Sequence, residues 1–437
     1  MKTLSLVLLF PTLAFSQAQM HEVAKVAERP AGAPAYSDVC FRYMGVRKSK
    51  FPTVEDAKQA IRSFHATRID WFYPGHHYSE TGSLIRPEAK AFIEWCHSRD
   101  MKVGGAINNN TRNPEWKYKK HHLDRFVGEV KNAEFRKKVI AWGVAQIDAG
   151  VDTIVCDDIF KYDKERQDLW SREVLTKIKA HKPGFTIAGN SGHNISTEYV
   201  KRFVVDFHYS DNNFVPTPSE WWKASKAHRA EKSAILLHPN RPRTINIHRA
   251  MIAFGYANGA HVIAPWDEYI HGKDRLFADP ADFADLYGFA RALGKAGYLK
   301  SHEDAAVGGF DLKEDRYGKL TPIAVKGGSG KLSAFARAIP GDPKAPLVIH
   351  LVDSAAGKPA ILKLNKSAAH QLASSKIECQ LLTPPAYDKA AHAKASSTKD
   401  YSTLLRSSTI EPKVEGDVLS FNIPALKPWA VLIITPQ

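Results

Sequence analysis

The sequence predicts an α/β protein, a (β/α)8 TIM barrel followed by an antiparallel β-sandwich domain. Between about residues 38 and 298, a short β-rich run, a polar loop and an amphipathic helical segment recur. No glycine-rich phosphate loop follows any of these runs, which argues against a doubly wound nucleotide-binding sheet. After residue 318, alternating runs are separated by Pro, Gly, Asp and Ser, a pattern typical of antiparallel sandwiches.

The elements follow in order along the chain. Residues 1–18 have an early Lys, an apolar core and a small-residue end, which is typical of a secretory signal peptide. We expect a tether at 19–37, the barrel at 38–298, a linker at 299–317 and the sandwich at 318–437. The predicted barrel strands are 38–46, 67–73, 102–107, 151–156, 185–188, 203–208, 233–237 and 261–264. The predicted helices are 54–65, 87–99, 133–149, 168–181, 218–230, 245–258 and 281–293. In the sandwich, residues 383–408 are expected to form a long loop.

Composition limits the possible partners. Lys plus Arg is 61 against 46 for Asp plus Glu, a net charge of +15 that favours anionic ligands. Nucleic acid is not expected, because no nucleic-acid-binding motif is found. No later stretch is long and apolar enough to span a membrane, so the sequence predicts a secreted or periplasmic protein. No metal or cofactor motif occurs. The four cysteines are too scattered for a disulfide framework, although a Cys40–Cys96 bridge stays open.

Predicted strand four carries the most informative acids. Residues 151–158 are a β-branched run that ends in the adjacent acids Asp157 and Asp158. Barrel enzymes keep their catalytic groups at this end of a strand. Successive strand residues point to opposite faces, so only one of the two acids can face the pocket. Asp158 is favoured as the acid nearer the mouth.

The other strand ends are polar and aromatic as well, and in a barrel they meet on one face. Aromatic faces pack against sugar C–H surfaces, while amides and acids bind hydroxyls. Arginine in particular suits a sulfate or carboxylate group. The predicted substrate-binding residues are Asp70, Trp71, Tyr73, His76, Asn108, Arg112, Asp157, Asn190, His193, His208, Asp211, His238, Arg241, Trp266, Asp267 and Tyr269.

Cleavage of a glycosidic bond needs two carboxyl groups, one protonated and one ionised. For the partner of Asp158 the sequence offers Glu268 and Asp206 about equally, with Asp211 behind them. Glu268 directly follows Trp266-Asp267, and an aromatic wall at this place would disfavour the ionised form of the carboxyl group, as a general acid requires. Asp206 lies within a predicted strand, where its alternative role is to anchor neighbouring residues.

The order of signal peptide, barrel and sandwich, with acids after strands four and six, resembles the retaining α-glycosidases of the α-galactosidase type. The resemblance implies that Asp158 is the nucleophile and Asp206 the acid/base. The nucleophile strand of that family reads roughly Lys-Tyr-Asp, whereas Val-Cys-Asp-Asp stands here, and Glu268 departs from the pattern. The segment Ala-Pro-Trp-Asp-Glu-Tyr at 264–269 and the basic rim are also similar to barrel hydrolases of marine sulfated polysaccharides, including endo-fucanases.

The sequence therefore predicts a secreted glycoside hydrolase that cleaves an anionic, sulfated polysaccharide by a retaining mechanism. It would act without a cofactor, as a monomer or small homo-oligomer. One alternative is a polysaccharide lyase that uses Tyr73 or His208 as the base next to a uronic carboxylate. The other is a non-catalytic glycan-binding protein.

Overall fold

The computed structural model describes residues 31–43, 45, 53–75, 85–107, 130–156, 164–190, 205–212, 236–239, 244–264, 266–270, 274–277, 279–299, 303–309, 323–339, 341–355, 357–374 and 376–437. Eight parallel strands pair in chain order. They are β1 (Cys40–Arg42), β2 (Arg68–Phe72), β3 (Lys102–Ile107), β4 (Thr153–Cys156), β5 (Thr186–Asn190), β6 (Phe207–Asn212), β7 (Leu236–Pro239) and β8 (His261–Val262). The backbone N–H of Ala264, just past β8, donates to the Cys40 carbonyl at 2.8 Å, which joins the last strand to the first. The predicted (β/α)8 barrel is thereby confirmed.

The barrel helices begin where the sequence supplies caps. They are α1 (Val54–Ser63), α2 (Pro87–His97), α3 (Ala133–Asp148), α4 (the continuous run Lys164–Asp168, Leu169–Leu175 and Thr176–Ala180, with a π-helical centre), α5 (Ile245–Ala257) and α6 (Pro280–Lys295). Thr53 forms a capping box with Asp56, and Asn132 and Asp279 accept hydrogen bonds from the first turns of α3 and α6. The helix predicted at 218–230 lies outside the described residues.

Strand alternation divides the buried barrel residues into two sets. Residues such as Ile154 and Cys156 face outward and pack in the large cluster beneath the helices. A smaller cluster fills the barrel interior, formed by Cys40, Trp71, Tyr73, Ala106, Val155, Ala188, Phe207 and Ile263. All four cysteines are buried free thiols, so the Cys40–Cys96 bridge that the sequence left open is not formed.

Two antiparallel sheets form the predicted sandwich. Their strands are β11 (Glu303–Gly309), β12 (Ile323–Gly327), β13 (Leu332–Ala338), β14 (Leu347–Asp353), β15 (Ala360–Asn365), β16 (Ile377–Thr383), β17 (Arg406–Thr409), β18 (Lys413–Glu415), β19 (Val418–Ile423) and β20 (Trp429–Pro436). The strand order is β11-β13-β14-β20-β16-β17 in the six-stranded sheet and β12-β15-β19-β18 in the four-stranded sheet. Before them, β9 (Trp266–Ile270) and β10 (Asp274–Phe277) form a separate hairpin.

Three segments differ from the prediction. The expected linker 299–317 contains β11, because its backbone completes the edge of the six-stranded sheet against β13. The expected loop 383–408 contains helix α7 (Lys389–Thr398), which Asp388 caps. Part of the expected tether is packed: the carbonyls of Gly32 and Ala35 accept hydrogen bonds from Arg68 (2.6 Å) and from His261 (2.7 Å).

The sandwich packs directly on the barrel through its six-stranded sheet. Trp429 stacks on Tyr256 of α5 with ring centroids 5.7 Å apart and meets Phe289 of α6 edge-on at 4.9 Å. A second contact joins His65, after α1, to His392 of α7, with 2.7 Å between Nε2 and Nδ1. Within the described ranges, the structure has no helix of the length and apolarity that a membrane crossing requires.

Candidate active site at the carboxyl ends of the barrel strands

A β-bulge directs Trp71 into the barrel. Ile69 pairs with Val103 and Phe72 with Gly105, so β2 advances three residues while β3 advances two. Trp71 sits in this irregularity with φ of 62°, a left-handed conformation that costs a non-glycine residue about 1–3 kcal/mol. Both Trp71 and its predecessor Asp70 are consequently buried at the barrel interior. Bulges of this kind re-aim side chains beside active sites.

Arg42 is a candidate that the sequence analysis missed. It is the last residue of β1, and its guanidinium lies 5.4 Å from the centre of the Trp71 ring, within cation–π range. The side chain is partly buried, and β9 lies beside β1. Arg42 is the charged residue in the otherwise apolar run Val-Cys-Phe-Arg-Tyr, and that contrast could have identified it.

The β4 strand leads directly to the paired acids. Val155 belongs to the interior cluster, whereas Ile154 and Cys156 belong to the outer one. Asp157 and Asp158 themselves lie outside the described residues. Were the alternation of β4 to continue past Cys156, position 157 would share the inward parity of Val155, whereas the sequence analysis favoured Asp158.

Neighbouring strands bring further predicted residues to the same end. Asn190, the last residue of β5, is buried and pairs in register with Tyr209 of β6. Tyr73, just past β2, is buried in the interior cluster. On β6, Asp211 pairs with His238 of β7, and His208 lies three residues earlier on the same strand. The backbone thus places these positions on adjoining strands.

The hairpin after β8 carries the remaining described candidates. Trp266, Asp267, Glu268 and Tyr269 all belong to β9, where Glu268 pairs with Leu276 of β10. Glu268 is therefore on an antiparallel ribbon beyond the barrel strands rather than at a barrel strand end. The predicted residues His76, Asn108, Arg112, His193 and Arg241 lie outside the described residues.

Asp70 does not occupy the predicted rim. It is fully buried, and its Oδ1 accepts a hydrogen bond of 2.8 Å from Nε of Arg68, itself 1% exposed. A Cβ on Gly104 would come within 2.8 Å of the same oxygen, so the carboxylate fills the space that this glycine leaves. The ion pair neutralises a charge inside the barrel, whereas substrate binding by Asp70 stays a prediction.

Asp206 is misplaced by the sequence analysis as well. Strand six was expected at 203–208, but β6 begins at Phe207 and ends at Asn212. Asp206 therefore precedes the strand, at the amino ends of the barrel strands. Its Oδ1 lies 2.6 Å from Nζ of Lys179, and its Oδ2 accepts a hydrogen bond of 2.8 Å from the Ile187 N–H. The predicted bounds of strand six are wrong, because parallel pairing with β5 and β7 carries the strand into the polar residues that follow. The role of Asp206 as acid/base stays a prediction.

Across the described part of the chain, no group of three or more His, Cys, Asp or Glu side chains could hold a metal ion. Neither a protein-family model nor a curated protein sequence matches the chain.

Solved structures share the architecture at low identity. An α-amylase from Geobacillus thermoleovorans superposes with a TM-score of 0.55 and 11% identity, covering 92% of this chain and 99% of its own. A debranching enzyme from Nostoc punctiforme gives 0.51 and 14%, covering 91% and 98%. A cyclic α-maltosyl-(1→6)-maltose hydrolase from Arthrobacter globiformis gives 0.50 and 13%, covering 76% and 94%. These likenesses establish the fold, a TIM barrel with a C-terminal antiparallel domain.

Proposed function

We propose that the chain is an exported glycoside hydrolase that cleaves an anionic polysaccharide, sulfated or uronic, through two carboxyl groups. The observation that carries the proposal is made at the carboxyl ends of the barrel strands: β4 ends at Cys156, directly before Asp157-Asp158 in the sequence, and at the same end the partly buried Arg42 lies 5.4 Å from the ring centre of the bulged Trp71. The solved structures of similar fold are, by their names, an amylase, a debranching enzyme and a maltoside hydrolase, which supports glycosidic cleavage. Export is supported by the signal-like residues 1–18.

Asp157 is the proposed nucleophile. The alternation of β4 favours Asp157 over Asp158. On the neighbouring strand β5, the last residue is the buried Asn190, which lies two residues after Ala188 of the interior cluster and so shares its inward direction. In this mechanism the ionised carboxylate attacks the anomeric carbon while a second, protonated carboxyl group protonates the leaving oxygen. Water then hydrolyses the glycosyl-enzyme, and the second group acts as the base.

The proposed acid/base is Asp211, with Glu268 as the second candidate. The resemblance to the α-galactosidase type implies an Asp on strand six, and Asp211 is the Asp at the carboxyl end of β6. Glu268 is a candidate because β9 lies beside β1, whose last residue is Arg42.

Arg42 is the proposed contact for the anionic group of the substrate. A guanidinium presents a planar fork that matches sulfate and carboxylate oxygens. The Trp71 ring beneath it limits the orientations of that fork. Replacement of Arg42 by Lys keeps the charge and removes the fork. We therefore expect this substitution to raise the KM for a sulfated substrate more than the KM for its desulfated form.

The test is a reducing-end assay over sulfated and uronic polysaccharides with amide variants. Asp157→Asn is expected to abolish turnover, and azide is expected to restore turnover partly in Asp157→Gly, where the missing side chain leaves room for this external nucleophile. The matched control is Asp152→Asn at the opposite end of the same strand, where the carboxylate contacts His97 (3.0 Å) and the Val103 N–H (2.7 Å). This control is expected to keep its kcat.

Three results would contradict the proposal. Full turnover of both Asp157→Asn and Asp158→Asn would exclude a nucleophile on β4. Products with a new ultraviolet absorption would indicate a lyase, because elimination leaves a double bond. Binding without product across the panel would indicate a glycan-binding protein.

A further inference from the structure

The four-stranded sheet of the sandwich has one covered face and one open face. Leu362, Leu364 and Phe421 point inward and pack against the six-stranded sheet. The six-stranded sheet in turn packs on the barrel, through residues such as Phe335 and Trp429. The outer face of the four-stranded sheet is therefore turned away from the barrel.

Lysines occupy this outer face at regular positions. In the β-pairing, Lys363 of β15 lies opposite Ser420 of β19, and Ser420 lies opposite Lys413 of β18. In the next row, Lys326 of β12 lies opposite Ile361 of β15. Residues directly opposite in an antiparallel pair project from the same face, and strands lie about 4.8 Å apart, so Lys363 and Lys413 stand roughly 10 Å apart at their backbones.

An open depression of about 450 Å³ adjoins Lys326, one of these lysines. Its lining also includes Ile361 and Asn422, together with Pro359 and Pro424. Ile361 is 39% exposed, one of few large apolar side chains so placed in the described part of the protein. The depression thus combines a cation, an amide and an apolar surface.

We propose that this open face, which we call the lysine face (Lys326, Ile361, Lys363, Lys413 and Asn422), binds a chain of anionic polysaccharide apart from the barrel mouth. Ammonium groups in two adjacent rows complement sulfate or carboxylate groups repeated along a polymer. Ile361 supplies an apolar surface for the C–H side of a sugar ring, and the Asn422 amide serves its hydroxyls. The choice of an anionic glycan rests on the proposed function.

One carboxylate lies close to these lysines. Glu415 forms an ion pair with Lys413 at 2.7 Å, with 49% and 76% of their side chains exposed. An exposed pair of this kind contributes little to stability, so Lys413 can exchange Glu415 for a ligand anion at small cost. The lysine face keeps an excess of two positive charges when Glu415 is counted against the three lysines.

The test compares two triple variants with equal loss of charge. One is Lys326→Ser/Lys363→Ser/Lys413→Ser, and the control changes the exposed Lys344, Lys389 and Lys394 of the same domain to Ser. Both are made in the full chain carrying Asp157→Asn and Asp158→Asn, so that no substrate is consumed. Affinity electrophoresis with dextran sulfate, and with neutral dextran, measures binding.

We expect the lysine-face triple to raise the Kd for dextran sulfate on the order of tenfold to a hundredfold, as the loss of three cations that face a polyanion predicts. The control triple is expected to change it less than about threefold, within the range of weak exposed charges. Equal weakening by both triples would overturn the proposal, since net charge alone would explain it. Equal binding of neutral dextran, or binding to anionic vesicles or nucleic acid but not to dextran sulfate, would overturn it too.

The outcome is distinguishable from failure of the proposed function. In the chain with intact acids, the lysine-face triple is expected to keep kcat on short oligosaccharides and to raise KM only on the polymer. Loss of dextran sulfate binding without any hydrolysis in the panel would leave the lysine face supported and the proposed hydrolase refuted.

Discussion

Replacement of Asp70 by Asn tests whether this residue supports the barrel or binds substrate. Asp70 is fully buried beside the Arg68 guanidinium. This guanidinium also donates a hydrogen bond of 2.6 Å to the Gly32 carbonyl, and it lies 5.3 Å from the centre of the Phe207 ring. Asn keeps the shape of the side chain and removes its charge. The guanidinium, held by these other contacts, then stays buried without its counter-charge.

Breaking a buried ion pair by removing one partner costs about 3–5 kcal/mol. For a domain of this size, about 2–4 °C of Tm per kcal/mol converts this to a decrease of roughly 6 to 20 °C. Thermal unfolding followed by circular dichroism measures the shift, and kcat/KM well below the Tm measures function. We expect lower stability with near-normal kcat/KM.

A double variant separates lost charge from lost packing. Arg68→Met/Asp70→Leu removes both charges with apolar side chains, and we expect it to be more stable than Asp70→Asn alone. An unchanged Tm with a collapsed kcat/KM in Asp70→Asn would refute the reasoning and return Asp70 to the substrate site.

Two further predictions concern the domain contact and the amino end of the barrel. Burial lowers the pKa of His65 from 6.5 to about 3, and the neighbouring His392 contributes to the same shift. A depressed histidine pKa stabilises the folded state above pH 6.5. This stability is lost as the pH falls from 6.5 towards 3, at up to about 1.4 kcal/mol per pH unit. Urea unfolding at pH 7.5 and at pH 5 should show this loss of unfolding free energy in the native chain and a smaller loss in His65→Asn. An identical change of unfolding free energy with pH in the two proteins would contradict the prediction. Asp206→Ala removes the contacts with Lys179 and the Ile187 N–H, so we expect a loss of about 1.5–3 kcal/mol in unfolding free energy with unchanged kcat. A large fall in kcat without loss of unfolding free energy would instead favour Asp206 as a catalytic residue.

Much of the architecture is determined locally and was predictable. The side chains of Thr53, Asn132 and Asp279 accept hydrogen bonds from backbone N–H groups two or three residues further on, so α1, α3 and α6 begin where the sequence indicates. The β-branched run of β4 marks a buried strand, and alternation after residue 318 marks most of the sandwich strands. These signals act within one element, so they survive in sequence alone.

The sequence by itself determined the class of fold and drew attention to the acids after β4. Tertiary structure decided which way individual side chains face. The bulge at Trp71 depends on the register between β2 and β3, and the places of Asp206 before β6 and of Asp211 near its carboxyl end depend on where β5 and β7 pair with β6. A slip of one residue reverses every side chain of a strand, and register is set by neighbouring strands that are remote in sequence. The choice between two adjacent acids that follow a strand in the sequence is therefore a property of the barrel and not of the segment that carries them.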